Sequence, residues 1–499
     1  MSNLSELLPT GGGQNVVDFV ATGTLGNGQS VALKTDGTVE AITGFSGSQT
    51  VYAAVDYGGG APNNTKGYGV AYSTNADKFV FLYTNNLYYV YAQVATVSGN
   101  GFTLATPVVL LSATSYAACI HYNPVNFTFF IAYADAAYQG PGYARGASLS
   151  GTTLSLGSTV TWSTSNTSPE WMNSVYDSST NRHILCYGVS DPYPLQPYVA
   201  AFSGAQSISL QIAKTATFGS TAANKYVHLS YDTAQNAVLL FGSNSSFYQV
   251  YMGMTTGGSS FTFGTVVTST SATVSAGTAM SGYDKTTNKH LVGFRSNSGT
   301  NYLSYVLVTL SGTAVTVGNP VNGPYVSSPA TTLNSITIWY DEVAKTITSA
   351  AFAYNTAAPQ ILPIDTSGAT AVMGAVVTGD ISQHSKGIYA ASGLIANASY
   401  RSALTTMASS GAPRASLYSN AYLVTTNTAL IGITAEAISS GATGPVNVLG
   451  GINTSQSGLT VTSDYYVQSD GTITTASASP AVKVGQAVSS TTINMKDLT

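Results

Sequence analysis

Residues 175–188 run Val175-Tyr176-Asp177-Ser178-Ser179-Thr180-Asn181-Arg182-His183-Ile184-Leu185-Cys186-Tyr187-Gly188: a short apolar strand ending in tyrosine, a polar turn, and a second apolar strand. The same pattern returns at 71–83 (AYSTNADKFVFLY), 121–133 (HYNPVNFTFFIAY), 230–242 (SYDTAQNAVLLFG), 282–294 (GYDKTTNKHLVGF) and 339–352 (WYDEVAKTITSAAF). Its anchors are Tyr72, Tyr122, Tyr176, Tyr231, Tyr283 and Tyr340, spaced by 50, 54, 55, 52 and 57 residues. A fixed period of this length marks a repeat architecture.

Each unit continues into a second hairpin, as in NNLYYVYAQVATVSGNGFTLATPVVL (85–110) and YLSYVLVTLSGTAVTVGNPV (302–321). A Gly-containing turn recurs there at nearly constant offset (97–101, 149–153, 255–259, 310–314), supplying the positive φ that tight hairpins need. Four short antiparallel strands per unit predict a β-propeller blade. A superhelical solenoid of this period would carry helices, and no 3.6-residue apolar period is sustained. Six blades are explicit over about 55–380, and 381–427 has the size of a seventh but lacks the Tyr-Asp anchor, so six and seven blades both stand.

The two ends differ from the repeats and resemble each other. VALKTDGTVEAI (31–42) and YYVQSDGTITTA (465–476) are both strands around an Asp-Gly turn. The division expected is N-terminal strands over 1–54 for closure or attachment, a propeller over 55–427, and a C-terminal β module over 428–499, built as a small barrel or sandwich that the N-terminal strands join.

Composition agrees with an all-β chain. Of 499 residues only 7% are charged, yet 44% are apolar, with 33 Tyr and 16 Phe. Such a chain can bury a large core, which sets it apart from disordered sequences equally rich in Ser, Thr, Asn and Gly. Net charge is −4 with no basic cluster, which removes the main attraction for nucleic acid. The first residues lack a secretory leader's basic and apolar regions, and no run approaches a membrane span, so the expectation is a protein made in the cytoplasm without membrane insertion. Cys119 and Cys186 lie in strand-like runs, as two buried hydrophobes or, alternatively, a disulfide.

The repeat, the opening LPTGGGQNVVDFVATGTLGNGQSVALKTDGTVEAI (8–42) and the endings GLTVTSDYYVQSDGTI (458–473) and GQAVSSTTINMKDL (485–498) resemble a family of bacteriophage virion proteins described as tail-fibre-like, over nearly the whole chain. The resemblance implies a structural or adhesive subunit of the virion. Its partners would be other virion proteins, a host-surface glycan or protein, and further copies of itself, a trimer among the arrangements allowed. A capsid-decorating or head-fibre protein is the alternative placement, and a polysaccharide-degrading tailspike the alternative of another class.

No motif of catalysis appears: there is no G-x-S-x-G, P-loop or C-x-x-C, and five arginines without the repeated Asp box of sialidases argue against that propeller chemistry. Glu170, Glu342 and Glu436 sit in unrelated contexts. Asp177, Asp232, Asp284 and Asp341, with Asn181, Asn236 and Asn288, read as turn-forming residues, since one carboxylate per loop falls short of the six to eight oxygens that calcium takes. His183 and His290 fill a strand position held elsewhere by Phe79, Val238 and Ile347, and His121, His228 and His384 show no metal spacing. No cofactor or metal is therefore expected. Candidate ligand contacts are the aromatic and polar residues of two longer loops, Tyr138, Tyr143 and Arg145 in YADAAYQGPGYARG, and Asp191, Tyr193 and Tyr198 in SDPYPLQPY.

Overall fold

The computed structural model describes residues 15–495 apart from 58–68, 86, 116, 136–140, 164–168, 190–197, 216–226, 244–247, 258–259, 297–302, 324–332, 343, 354–358, 380–387, 394–400, 407–413, 422, 426, 469 and 478–480. Among these the only helical element is one 3-10 turn, Asn427–Ala429, and everything regular besides is antiparallel strand. Contacts divide the chain into two units, Ser48–Ala421 and the combination of Met1–Gly47 with Tyr422–Thr499.

The larger unit is a seven-bladed β-propeller. Blade 1 runs Gly69–Ser73, Lys78–Thr84, Val90–Ser98, then an outer strand in two pieces, Gly101–Leu104 and Val108–Leu111, both paired to the third strand. Blades 2 to 6 begin at Ala118, Pro169, Val227, Val267 and Leu333, and the long strand Val267–Asp284 serves as outer piece of blade 4 and first strand of blade 5. Each first strand touches the first strand of the next blade, and Ile388–Gly393 of blade 7 touches Gly69–Ser73 of blade 1, so the ring is closed.

Closure is made by the N-terminal side of the chain. Blade 7 has only three strands of its own, Ile388–Gly393, Arg401–Thr406 and Arg414–Asn420; Gln49–Val51 and Val55–Asp56 pair with the last of them as its outer strand. Placing residues up to 54 outside the propeller is thereby corrected. Those short pieces carry no period of their own and become strands only opposite Arg414–Asn420. They copy the split outer strand of blades 1, 2, 4, 5 and 6, a form that leaves little continuous edge for another chain to extend, whereas blade 3 has the single outer strand Ile208–Thr215.

Cores lie between blades. One cluster joins Ala118 and Ile120 of blade 2 with Val80 and Leu82 of blade 1; another joins Ile184 and Val199 of blade 3 with Leu229, Leu240 and Met252 of blade 4. Alternate residues of each middle strand face opposite neighbours, which is why Phe79, Val80, Phe81 and Leu82 are all fully buried and why the middle strands read as continuous apolar runs.

The smaller unit packs two five-stranded sheets. In one, Val16–Val20, Thr443–Val448, Leu430–Thr434, Ser30–Leu33 and Val39–Ala41 lie side by side; in the other, Ile452–Asn453, Ile493–Asn494, Val482–Ala487, Asp464–Val467 and Ile473–Thr474. Ala32, Ile42 and Ile433 meet Tyr465, Val467, Val484 and Ile493 in the core. The two Asp-Gly turns match: Thr38 N donates to Asp36 Oδ1 at 3.0 Å and Thr472 N to Asp470 Oδ1 at 2.9 Å, with Gly37 and Gly471 at φ 84° and 82°. A side chain on Gly471 would also run into the Ile42 carbonyl, so only glycine fits.

Candidate functional site

The residue five places after each anchor tyrosine is left-handed in all six explicit blades: Asp77, Phe127, Asn181, Asn236, Asn288 and Lys345, with φ between 49° and 55°. The residue after the tyrosine holds the turn. Asp177 Oδ1 accepts Ser179 N (3.0 Å) and Thr180 N (3.3 Å), Asp232 Oδ1 accepts Ala234 N (2.9 Å) and Gln235 N (2.8 Å), and Asp284 Oδ1 accepts Thr286 N (2.8 Å) and Thr287 N (3.3 Å). In blade 2 Asn123 does the same for Val125 N (2.9 Å) and Asn126 N (3.1 Å), so neutral and charged residues fill one geometric role.

The remaining polar atoms of the motif reach across to the adjacent blade. The hydroxyl of Tyr231 accepts Ser179 N of blade 3 at 3.3 Å while donating to Asn236 Oδ1 of its own turn at 3.2 Å; Tyr283 does likewise toward Ala234 N (3.4 Å) and Asn288 Oδ1 (3.0 Å). At the same seam Thr256 Oγ1 of blade 4 donates to Asp177 Oδ2, and between blades 5 and 6 Thr366 Oγ1 donates to Asp284 Oδ2 at 2.7 Å. Lys289 donates to the carbonyls of Thr366, Ser367 and Gly368 in blade 6 at 2.8, 2.9 and 2.6 Å. The turns of blades 4 and 5 are thus stitched to both neighbours.

Burial and these bonds set the protonation states. Asp177 stays below the ordinary carboxylate value: burial pushes it up, but the hydroxyls of Ser179, Thr180 and Thr256 outweigh it. Asp284 is raised because its burial is offset mainly by one hydroxyl, Thr366. The described histidines are kept neutral by burial, His183 and His228 at about 4. His121 Nε2 and His183 Nδ1 lie 2.7 Å apart across the seam of blades 2 and 3, with His121 Nδ1 at 2.8 Å from Ser174 Oγ.

One seam holds the residue types of a nucleophilic triad. Ser230 Oγ is 2.7 Å from His290 Nδ1, and His290 Nε2 is 3.6 Å from Asp232 Oδ2. Their exposures are 4, 0 and 1%, so the serine hydroxyl faces the packed seam of blades 4 and 5, and the arrangement works as a cross-blade bridge.

Of the residues singled out in the two loops, Tyr138, Asp191 and Tyr193 lie outside the described residues. Tyr143 and Arg145 stand on the third strand of blade 2, Gly142–Ser150, and Tyr198 begins the third strand of blade 3. Tyr143 packs on Tyr133 at 5.8 Å between centroids, Tyr198 stacks on Tyr187 at 5.1 Å and 9°, and Arg145 Nε donates to Thr159 Oγ1 at 2.7 Å. Tyr143 and Tyr198, expected on longer loops, are instead strand residues half-buried against blade cores. Cys119 and Cys186 are free, buried thiols.

Two surface features went unread in the sequence. Val125 and Phe127 are exposed on the turn of blade 2, where the other turns are polar. A cleft of about 490 Å3 opens between the outer strands of blades 4 and 5, lined by Phe263, Gly264, Val267, Thr313, Ala314 and Val315. Nothing about Gly264 alone announces it; the signal is the pairing of Gly264 with Gly253, both pressed against the Thr313 carbonyl.

No family model matches the chain, and no curated protein matches it. Among solved structures it is similar to a Dos1 propeller, with a TM-score of 0.44 and 11% identity over 74% of this chain and 95% of that one.

Proposed function

We propose that the chain is a non-enzymatic structural and recognition subunit of a bacteriophage particle, a tail-fibre or other appendage protein whose propeller is a rigid display scaffold. The observation that carries this reading is where the chemistry is spent: Asp177, Asp284, His183 and His290, groups from which catalysis could be built, are buried and bonded across blade seams, with half-buried His121 bonded to His183 and buried Asp232 holding its own turn beside His290. What is left for solvent on the turns of blades 1, 3 and 4 is neutral and largely polar, including Thr74, Asn75, Ser178, Ser179, Thr233 and Gln235, while blade 2 exposes Val125 and Phe127 and blades 5 and 6 expose Lys285 and Lys345. Hydroxyls and amides on a fixed ring suit neutral polyhydroxylated ligands or protein surfaces better than charged ones.

The test uses the purified full chain with envelope polysaccharide from the host of the encoding phage, and the same phage's particles. Binding without release of reducing ends, and slower adsorption when cells are pre-incubated with the protein, are expected. Release of reducing ends would replace this reading with a polysaccharide-degrading enzyme, and antibodies that fail to label intact particles would remove the virion role.

A further inference from the structure

We propose that the His121–His183 pair is an acid-sensitive latch on the seam between blades 2 and 3, closing it when neutral and loosening it when a further proton is taken up. The two rings share one hydrogen bond of 2.7 Å, in which one nitrogen donates and the other offers its lone pair. His183 lies flat on Phe130 (4.9 Å, 13°), and Phe130 packs on Phe202. An added proton either occupies the lone pair that joins the rings or leaves an imidazolium in an apolar seam, and both outcomes oppose closure.

Among the described residues no carboxylate compensates. The groups facing the pair are Ser174 and Tyr176 from the first strand of blade 3, Cys119 from the first strand of blade 2, which lies toward Ser174, and the backbone of Gly204, which alone favours a charged His183; on the strand that carries His183, Arg182 adjoins it in sequence and Cys186 turns to the blade 4 side. Burial raises both thiols, Cys119 to about 12, so neither supplies a negative charge. The nearest motif carboxylate, Asp177, is taken by Ser179, Thr180 and Thr256. The other histidine seam differs in this respect, since His290 has Asp232 beside it to share a proton. The seam of blades 5 and 6 holds Leu291, Ile336, Ile338 and Ile347, and its titrating group, Asp284, is raised and so favours closure as pH falls, which makes it the opposite-signed comparison.

The direction follows from linkage. An unfolded histidine takes its proton near 6.5 and folded His183 near 4, so the neutral pair stabilises fully above about pH 6.5 and that contribution fades as pH falls toward 4. At a tenfold change per unit, opening of this seam should rise by roughly a few hundred-fold across that window from His183 alone.

Hydrogen exchange of the full chain at pH 7.0 and 4.5, corrected for intrinsic rates, reads this directly. Amides of Ala118–Asn123 and Arg182–Val189 should lose protection selectively, while those of Thr346–Ala353 in blade 6 keep theirs. His183→Phe, the residue that blades 1 and 2 carry at this register as Phe79 and Phe129, should abolish the difference; His183→Gln, which keeps a hydrogen-bonding side chain without titrating, serves should the larger ring not fit. Equal loss at all seams, or a selective loss that persists in both variants, would overturn the proposal.

Discussion

Asparagine at Asp177 and at Asp284 should have opposite consequences, although the two residues occupy the same place in their blades. Asp177 accepts five hydrogen bonds: from Ser179 N and Oγ (3.0 and 2.6 Å), Thr180 N and Oγ1 (3.3 and 2.6 Å), and Thr256 Oγ1 of blade 4. Asparagine keeps an acceptor for the turn amides, as Asn123 shows, but turns an amide NH2 toward hydroxyls that had been donating. Bonds to a charged group contribute about 1.5–3 kcal/mol against about 1 for neutral ones, so weakening the hydroxyl bonds should cost about 1–3 kcal/mol. At 1.4 kcal/mol per tenfold, that is about 5- to 150-fold in opening of the seam of blades 3 and 4. Asp284 accepts the same two turn amides but only one hydroxyl, Thr366 Oγ1, and its burial leaves the carboxyl raised, so removing the charge should cost less than about 0.5 kcal/mol or stabilise. The pH signs diverge as well. Asp177, lowered, contributes stability above the ordinary carboxylate value that is lost as pH falls through its folded value, whereas Asp284, raised, contributes on the acid side. Hydrogen exchange at Arg182–Val189 and Lys289–Ser296 in the two variants measures both effects. Equal destabilisation by Asp177→Asn and Asp284→Asn would refute the argument that cross-blade hydroxyls, and not the turn, decide the carboxylate's worth.

Thr50→Pro should open the ring at blade 7, because Thr50 lies opposite Ser419 between the bonded pairs Tyr52 N to Leu417 O and Ala421 N to Ser48 O; proteolysis within Arg414–Asn420 should accelerate, and unchanged cleavage would show that blade 7 closes without its outer strand. Gly157→Ala places a methyl inside the Gln206 carbonyl of blade 3 and should cost about 2 kcal/mol or more, while Gly257→Ala meets nothing within 4 Å and should be near neutral by thermal melting; equal melts would contradict the close approach. Tyr198→Ala should lower stability by about 1–3 kcal/mol through loss of its stack on Tyr187, and a ligand-binding defect without any change in melting would return that residue to the surface role expected from its loop.

Much of this architecture is written in the anchors. A tyrosine, then Asp in four blades and Ser73 or Asn123 in the first two, with a left-handed residue five places after the tyrosine, is a local code, so six blades can be counted from 13-residue windows. The seventh escapes because no anchor marks Ile388–Gly393 and its fourth strand is supplied by residues 49–56, about 360 positions away, in pieces of three and two residues. Site chemistry was less legible. His183 and His290 occupy identical positions in the repeat, and only the neighbouring blade makes one a partner of His121 and the other of Asp232. Tyr143 and Tyr198 looked like loop residues because Pro and Gly precede them, yet strand pairing begins at those residues and turns their rings onto the blades.

Where the chain enters and leaves the propeller has a mechanical meaning. Ser48 and Ala421 are hydrogen-bonded to each other at 2.9 Å, and the outer strand runs antiparallel to Arg414–Asn420 from that point inward. Tension drawing those two ends apart meets the ladder one rung at a time, first at Ser48, then at Thr50, then at Tyr52, in a peeling geometry that divides the resistance instead of summing it. The ring is therefore weakest against a pull that separates its own two ends, and strongest when both are pulled together, since parallel load leaves the rungs unstrained and passes into the three inner strands of blade 7.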